Sequence, residues 1–154
     1  PTKIYVKPIL ALMEQVSIKA LCHITGGGFY ENIPRGLPDG VSVRINKAAI
    51  PTLPIFPMLA RLGNVPERDM FNTFNMGVGM TIVVAQEDAD KALRLLRENG
   101  EGAYPIGDIV KTVLERAFPL FAPHHGRSAD NTGPGGECYT LFADFVHFYR
   151  LACF

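Results

Sequence analysis

Three consecutive glycines, Gly26-Gly27-Gly28, stand between the apolar run Ile18-Lys19-Ala20-Leu21-Cys22 and a segment, Phe29 to Arg35, that can start a helix. Such a triplet lets the backbone turn tightly and approach another group closely. The chain is therefore constrained to a strand, a sharp turn and a helix in immediate succession. Amide N–H groups at that turn, with a helix beginning behind them, form a natural anion site. His23, at the end of the strand, adds a group able to transfer protons. The same residues also read as a plain glycine turn with a structural histidine, because one histidine and three glycines do not by themselves make a site.

The 154 residues fit one ordinary domain, and 47% hydrophobic content is enough for a core. Fifteen basic residues balance fifteen acidic ones, which argues against a nucleic-acid surface. No signal peptide is readable and no apolar run is long enough to cross a bilayer, so no membrane role is expected. Cys22, Cys138 and Cys153 are widely spaced and lack metal-ligand spacing. They point to a reducing cytoplasm. His124-His125 lacks a third ligand, so no metal site is expected there. The chain begins with Pro1, which suggests processing or excision from a longer protein.

Periodicity supplies the elements. Ile9, Leu12, Met13 and Val16 form a helical stripe within Pro8–Val16. Ile18–Thr25 reads as a buried strand, Phe29–Leu37 as a short helix limited by Pro34, and Val41–Ile45 as a half-buried strand. Ile55–Leu62 is helical up to Gly63, and Pro66-Glu67-Arg68-Asp69 opens another helix. β-Branched Thr81, Ile82, Val83 and Val84 mark a strand over Gly77–Ala85. Asp88–Asn99 is a helix with Ala89, Ala92, Leu93 and Leu96 on its apolar face and Gly100 as its cap. Tyr104–Val110 is the last strand. The order α-β-α-β-α-α-β-α-β predicts an α+β fold, a layered α/β domain with a four-stranded mixed sheet.

Residues 1–111 are expected to form that domain, and 112–154 an atypical tail. Thr112–Ala122 can continue as a helix, and Gly126–Glu137 reads as a polar linker. Cys138–Phe154 is an aromatic run that must bury its face or stay adhesive.

A second chemistry-bearing stretch is Thr73-Phe74-Asn75-Met76-Gly77-Val78-Gly79-Met80. Glycines at the start of a strand signal either a bulge or turn, or the close approach of a ligand that Thr73 and Asn75 could bind. Asn32 and Arg35 lie one helical turn apart beyond the triplet. Arg35 is either a bidentate phosphate clamp or a solvated charge at a helix end.

Taken in order, Pro1-Thr2-Lys3-Ile4-Tyr5-Val6-Lys7, His23-Ile24-Thr25-Gly26-Gly27-Gly28, Glu31-Asn32-Ile33-Pro34-Arg35, Gly63-Asn64-Val65, Thr73 to Met80 and Ile106-Gly107 resemble the aminoimidazole ribonucleotide synthetase family, the phosphoribosylformylglycinamidine cyclo-ligases. The likeness runs from residue 1 to about residue 110 and covers only the family's C-terminal half. It implies the C-terminal domain fold of that ATP-binding superfamily, partly ferredoxin-like. It also implies ATP-dependent ring closure of formylglycinamidine ribonucleotide to aminoimidazole ribonucleotide, in purine biosynthesis. On this likeness His23 is catalytic, as acid/base or electrostatic stabiliser. Thr25, Gly26, Gly27 and Gly28 hold phosphate or substrate, and Asn32, Arg35, Thr73, Asn75 and Gly77 line the substrate cleft. ATP and Mg²⁺ would be held mostly by the family's N-terminal half. The implied partners are a small nucleotide substrate, that N-terminal half, and a second copy in a full-length homodimer.

The sequence departs from the family at three places. Gly36 replaces the usual aliphatic residue, Ile50 stands where the family often has an aromatic, and the tail from Thr112 does not match the family's short strand-like ending. Two other readings remain open. One is a different ATP-using member of the superfamily, of the formylglycinamidine ribonucleotide synthetase or selenophosphate synthetase type. The other is a non-catalytic module whose aromatic tail mediates association.

Overall fold

The computed structural model describes residues 3–111 and the backbone of 139–145. Five helices and five strands follow one another: α1 Val6–Met13, β1 Ile18–His23, α2 Gly28–Arg35, β2 Val41–Ile45, α3 Ile55–Gly63, α4 Glu67–Thr73, β3 Val78–Ala85, α5 Ala89–Glu98, β4 Tyr104–Lys111 and β5 Tyr139–Phe145. Short 3-10 turns precede α3 and α5, at Lys47–Ala49 and Gln86–Asp88. The order expected for residues 1–111 is the order observed.

Local chemistry accounts for the boundaries. Pro34 sits in the last turn of α2, so the hydrogen bond it cannot donate is lost near an end that frays in any case. Asn64 closes α3 in the left-handed region, with φ +48°. After α5, the Glu101 N–H donates to the Leu96 carbonyl and the Gly100 N–H to the Arg97 carbonyl, both at 3.0 Å. This is a Schellman ending, and Gly100 supplies its left-handed residue. Lys91 reaches back to the chain after α1, where its ammonium donates to the Gln15 carbonyl at 2.7 Å and ties α5 to that segment.

The strands form one sheet in the order β1-β3-β5-β4-β2. The α+β layered class holds, but the four-stranded mixed sheet is corrected: there are five strands, and every described pairing is antiparallel. The cause is β5. It runs antiparallel to both β3 and β4, which therefore point the same way; side by side they would have been a parallel pair. Of the segment read as a tail, 139–145 thus lies in mid-sheet. The helix expected over Thr112–Ala122, the linker Gly126–Glu137 and the end of the aromatic run fall outside the described residues.

Helices cover both faces of the sheet. Val83 packs with Phe29, Ile33, Phe71 and Ile106 on the side of α2, α3 and α4. Its neighbours Ile82 and Val84 pack with Leu12, Ala92 and Leu96 on the side of α1 and α5. Consecutive residues of a strand point to opposite faces, so β3 must be largely apolar to be buried on both. Ile82, Val83 and Val84 meet that requirement, and Thr81 is buried beside them.

Candidate functional site

The site lies at one end of the sheet, where β1 finishes and β3 begins. His23 is the register partner of Met80, and the Ile24 N–H donates to the Gly79 carbonyl at 2.8 Å. The two glycine-bearing stretches, about fifty residues apart in sequence, are thereby neighbours in space.

The triplet then turns the chain. The Gly28 N–H donates to the Thr25 carbonyl at 3.0 Å, closing a four-residue turn. Gly27 is its third residue, with φ +93° and ψ −10°, the position at which a type II turn calls for glycine. Gly28 has φ +55° and opens α2. A Cβ on Gly28 would overlap the Phe71 carbonyl oxygen and lie 2.9 Å from the Phe74 carbonyl oxygen. Its missing side chain lets the start of α2 rest on the backbone at the end of α4. That contact fixes the glycine turn against the segment carrying Thr73 and Asn75. Gly26 is exposed, and nothing lies within 4 Å of where its Cβ would be.

Asn32 holds the turn from inside. Its side-chain amide donates to the carbonyls of Gly28 (2.8 Å) and Gly26 (3.1 Å), with a longer 3.5 Å approach to Thr25. Its visible work is to shape the turn. Asn75 plays a parallel part: its Oδ1 accepts the Gly77 N–H at 3.1 Å, and its carbonyl accepts the Val78 N–H at 2.8 Å. Met76 and Gly77 both have positive φ, +51° and +93°, as a type I′ turn requires. Thr73 is exposed at the end of α4, and Gly77 is buried.

Arg35 stands apart from the turn. It ends α2, seven residues beyond Gly28, roughly 10 Å along the helix axis. Its guanidinium donates to Glu31 Oε2 at 3.1 Å, an exposed i,i+4 pair worth no more than about 0.5 kcal/mol. Glu31 leans across Gly27: a Cβ there would meet its Oε2 at 2.6 Å. The structure therefore gathers His23, Thr25–Gly28, Asn32, Thr73, Asn75 and Gly77 at one sheet end, and joins Arg35 to them only through Glu31. Sequence reasoning passed over Glu31, although its spacing to Arg35 was the available signal. It also passed over Tyr5, whose ring meets His23 edge-on with centroids 5.9 Å apart.

Cys22 occupies the space that a side chain at position 36 would need. A Cβ on Gly36 would overlap the buried Cys22 Sγ, which lies against the end of α2 and within 3.5 Å of the Ile33 carbonyl oxygen. Burial pushes the thiol above its ordinary value, against smaller lowering by hydrogen bonding to Thr81 and Gly36. It is a packing group rather than a nucleophile. Among the described residues, no cluster of three His, Cys, Asp or Glu side chains could hold a metal ion. Among them too, no helix is long and apolar enough to cross a membrane.

A helix-covered antiparallel sheet with a glycine turn docked on the end of α4, beside a second glycine-bearing turn, defines the class. Residues 1–117 match the family model described as AIR synthase related protein, C-terminal domain, and the chain belongs to that family. It is similar to the phosphoribosylformylglycinamidine cyclo-ligases of Staphylococcus aureus strains JH9 and Mu3, 56% identical over 111 residues, which is 72% of this chain and 32% of each relative. The cyclo-ligase of strain MSSA476 is 55% identical over the same length and shares. The chain thus spans about a third of the length of these curated relatives.

Proposed function

We propose that this chain is the C-terminal part of an ATP-dependent cyclo-ligase that closes formylglycinamidine ribonucleotide to aminoimidazole ribonucleotide in purine biosynthesis. The observation that carries this reading is the docking of Gly28 on the Phe71 and Phe74 carbonyls, which joins the stretches bearing Thr25–Gly28 and Thr73–Gly77 beside His23. Likeness to the named cyclo-ligases supports the choice of reaction.

The chemistry asks three things of the protein. ATP first phosphorylates the formyl oxygen. A nitrogen of the same substrate then attacks that carbon: the C–N bond forms, the C–O bond to phosphate breaks, and the nitrogen gives up a proton. The site must hold phosphate, align two atoms of one substrate and manage a proton. The exposed Gly26 turn at the start of α2 suits the phosphate. Thr73 and the amide end of Asn75 can contact substrate across the turn. His23 suits the proton, or stabilises charge in the transition state.

ATP and Mg²⁺ would be held mostly by the part of the enzyme that precedes this domain in the relatives. The partners on this reading are the nucleotide substrate, that remaining part, and a second copy in the full-length protein. The compartment is the cytoplasm. The test is to supply the remaining part in trans and follow ring closure. His23→Ala should cost about 2–4 kcal/mol of transition-state stabilisation, the scale of one preorganised contact. Equal activity with His23→Ala would remove the role given to His23.

A further inference from the structure

An acid/base group has to be held to within about 0.5 Å and 10–20° of its working geometry by packing or hydrogen bonds. His23 is exposed at the end of β1, and no hydrogen bond within the described residues fixes its imidazole. What it has is Tyr5, at 5.9 Å between centroids and 68° between ring planes.

Tyr5 is itself held from several sides. It is 8% exposed, and its carbonyl accepts the Ile9 N–H at 3.1 Å, so its backbone forms the start of α1. The Lys3 ammonium stands 5.7 Å above the Tyr5 ring and pairs with Glu101, a buried carboxylate in the turn between α5 and β4. A cation over a ring face and an aromatic partner at an edge are both favoured by the ring quadrupole. The imidazole is thus referenced to β1, to the start of α1 and to the α5–β4 turn.

We propose that Tyr5, clamped by Lys3 and Glu101, is the positioning residue that sets the orientation of the His23 imidazole. This rests on the reading of His23 as the proton-handling group, and it adds a residue on a different element that determines whether the group is aimed.

The experiment uses this chain, isotopically labelled, with the His23 ring protons assigned by their loss in His23→Gln. Tyr5→Leu removes the ring and should shift those resonances away from their ring-current-displaced positions, whereas Tyr5→Phe should keep them. In ring closure with the remaining part of the enzyme supplied, Tyr5→Leu should lower kcat by about 100-fold, the scale for a misplaced catalytic group, with KM unchanged. Tyr5→Phe should restore the rate. If Tyr5→Leu does not fold, Lys3→Met keeps the aromatic side chain but frees it from the clamp, so the ring moves and the same His23 resonances should shift. Unmoved His23 resonances in a folded Tyr5→Leu chain, or in Lys3→Met, would overturn the proposal. Shifted resonances with an unchanged rate would also overturn it, unless His23→Ala is equally active. In that case the reading of the reaction fails, and the Tyr5–His23 contact stands on the resonances alone.

Discussion

Each glycine of the triplet stands in a different environment, so alanine substitutions at Gly26, Gly27 and Gly28 should give three different results. Gly26 has an ordinary φ and open space around its Cβ position. Gly26→Ala should be within about 0.5 kcal/mol of wild type, or slightly stabilising through the unfolded chain. Gly27 at φ +93° carries the left-handed cost of about 1–2 kcal/mol, and its Cβ would press on Glu31 at 2.6–2.8 Å. Gly28 combines φ +55° with overlap of two backbone carbonyls that no side-chain rotation can relieve. Adding about 1–2 kcal/mol for the conformation to about 1–3 kcal/mol for overpacking gives about 2–5 kcal/mol for Gly28→Ala. That is a large fraction of a typical total stability of about 5–15 kcal/mol. Urea unfolding followed by circular dichroism reads this directly. At a slope of about 2 kcal/mol per molar, a loss of 3 kcal/mol moves the midpoint by about 1.5 M. The reasoning is refuted if Gly26→Ala costs as much as Gly28→Ala, or if Gly28→Ala unfolds at the wild-type midpoint with the same slope.

Asn32→Asp should destabilise more than Asn32→Ala, because a carboxylate facing the Gly26 and Gly28 carbonyls exchanges donation for repulsion; the alanine change should cost about 1–2 kcal/mol by the same urea titration. Cys22 titrates above its ordinary value in the folded chain, so the native state keeps the thiol proton longer than the unfolded state does. Its contribution is therefore whole below the unfolded thiol's value, ordinarily 9.0, and is lost as pH rises through the higher folded value. Wild type should lose more stability over that alkaline range than Cys22→Ala does, as midpoints at successive pH values would reveal. Leu141→Pro removes a ladder N–H from the strand between β3 and β4. Hydrogen exchange should then quicken at Val83 and Gly107, its register partners, and unchanged protection there would contradict the mid-sheet place of β5.

Elements built from local pattern were legible in the sequence. Thr81–Val84 marked β3 by β-branching, Val41–Ile45 marked β2 by alternation, and Gly100 ended α5, each within a residue or two of its observed bounds. The place of β5 was not legible, since which strands pair is a non-local choice with no local signature. Without β5, β3 and β4 would lie side by side as a parallel pair. The site divides in the same way. Glycine turns announce themselves, but nothing in the sequence near Asn32 indicates that its amide folds back onto the Gly26 and Gly28 carbonyls.

In the sequence the triplet reads either as an anion cradle or as a plain glycine turn, and its geometry separates those two tasks. Gly28 is needed because another backbone, that of Phe71 to Phe74, occupies the space of its side chain. That need is architectural and exists with or without a ligand. Gly26 has no such neighbour, yet it faces outward beside the first amides of α2, with its carbonyl fixed by Asn32. An anion approaching those amides would pass through the space left open there. If the proposed phosphate role holds, a bulkier residue at 26 should weaken phosphate binding while leaving the fold intact, and one at 28 should break the fold first. Folding and binding can thus be separated two residues apart, which makes Gly26 the place to probe the ligand and Gly28 the place to probe the architecture.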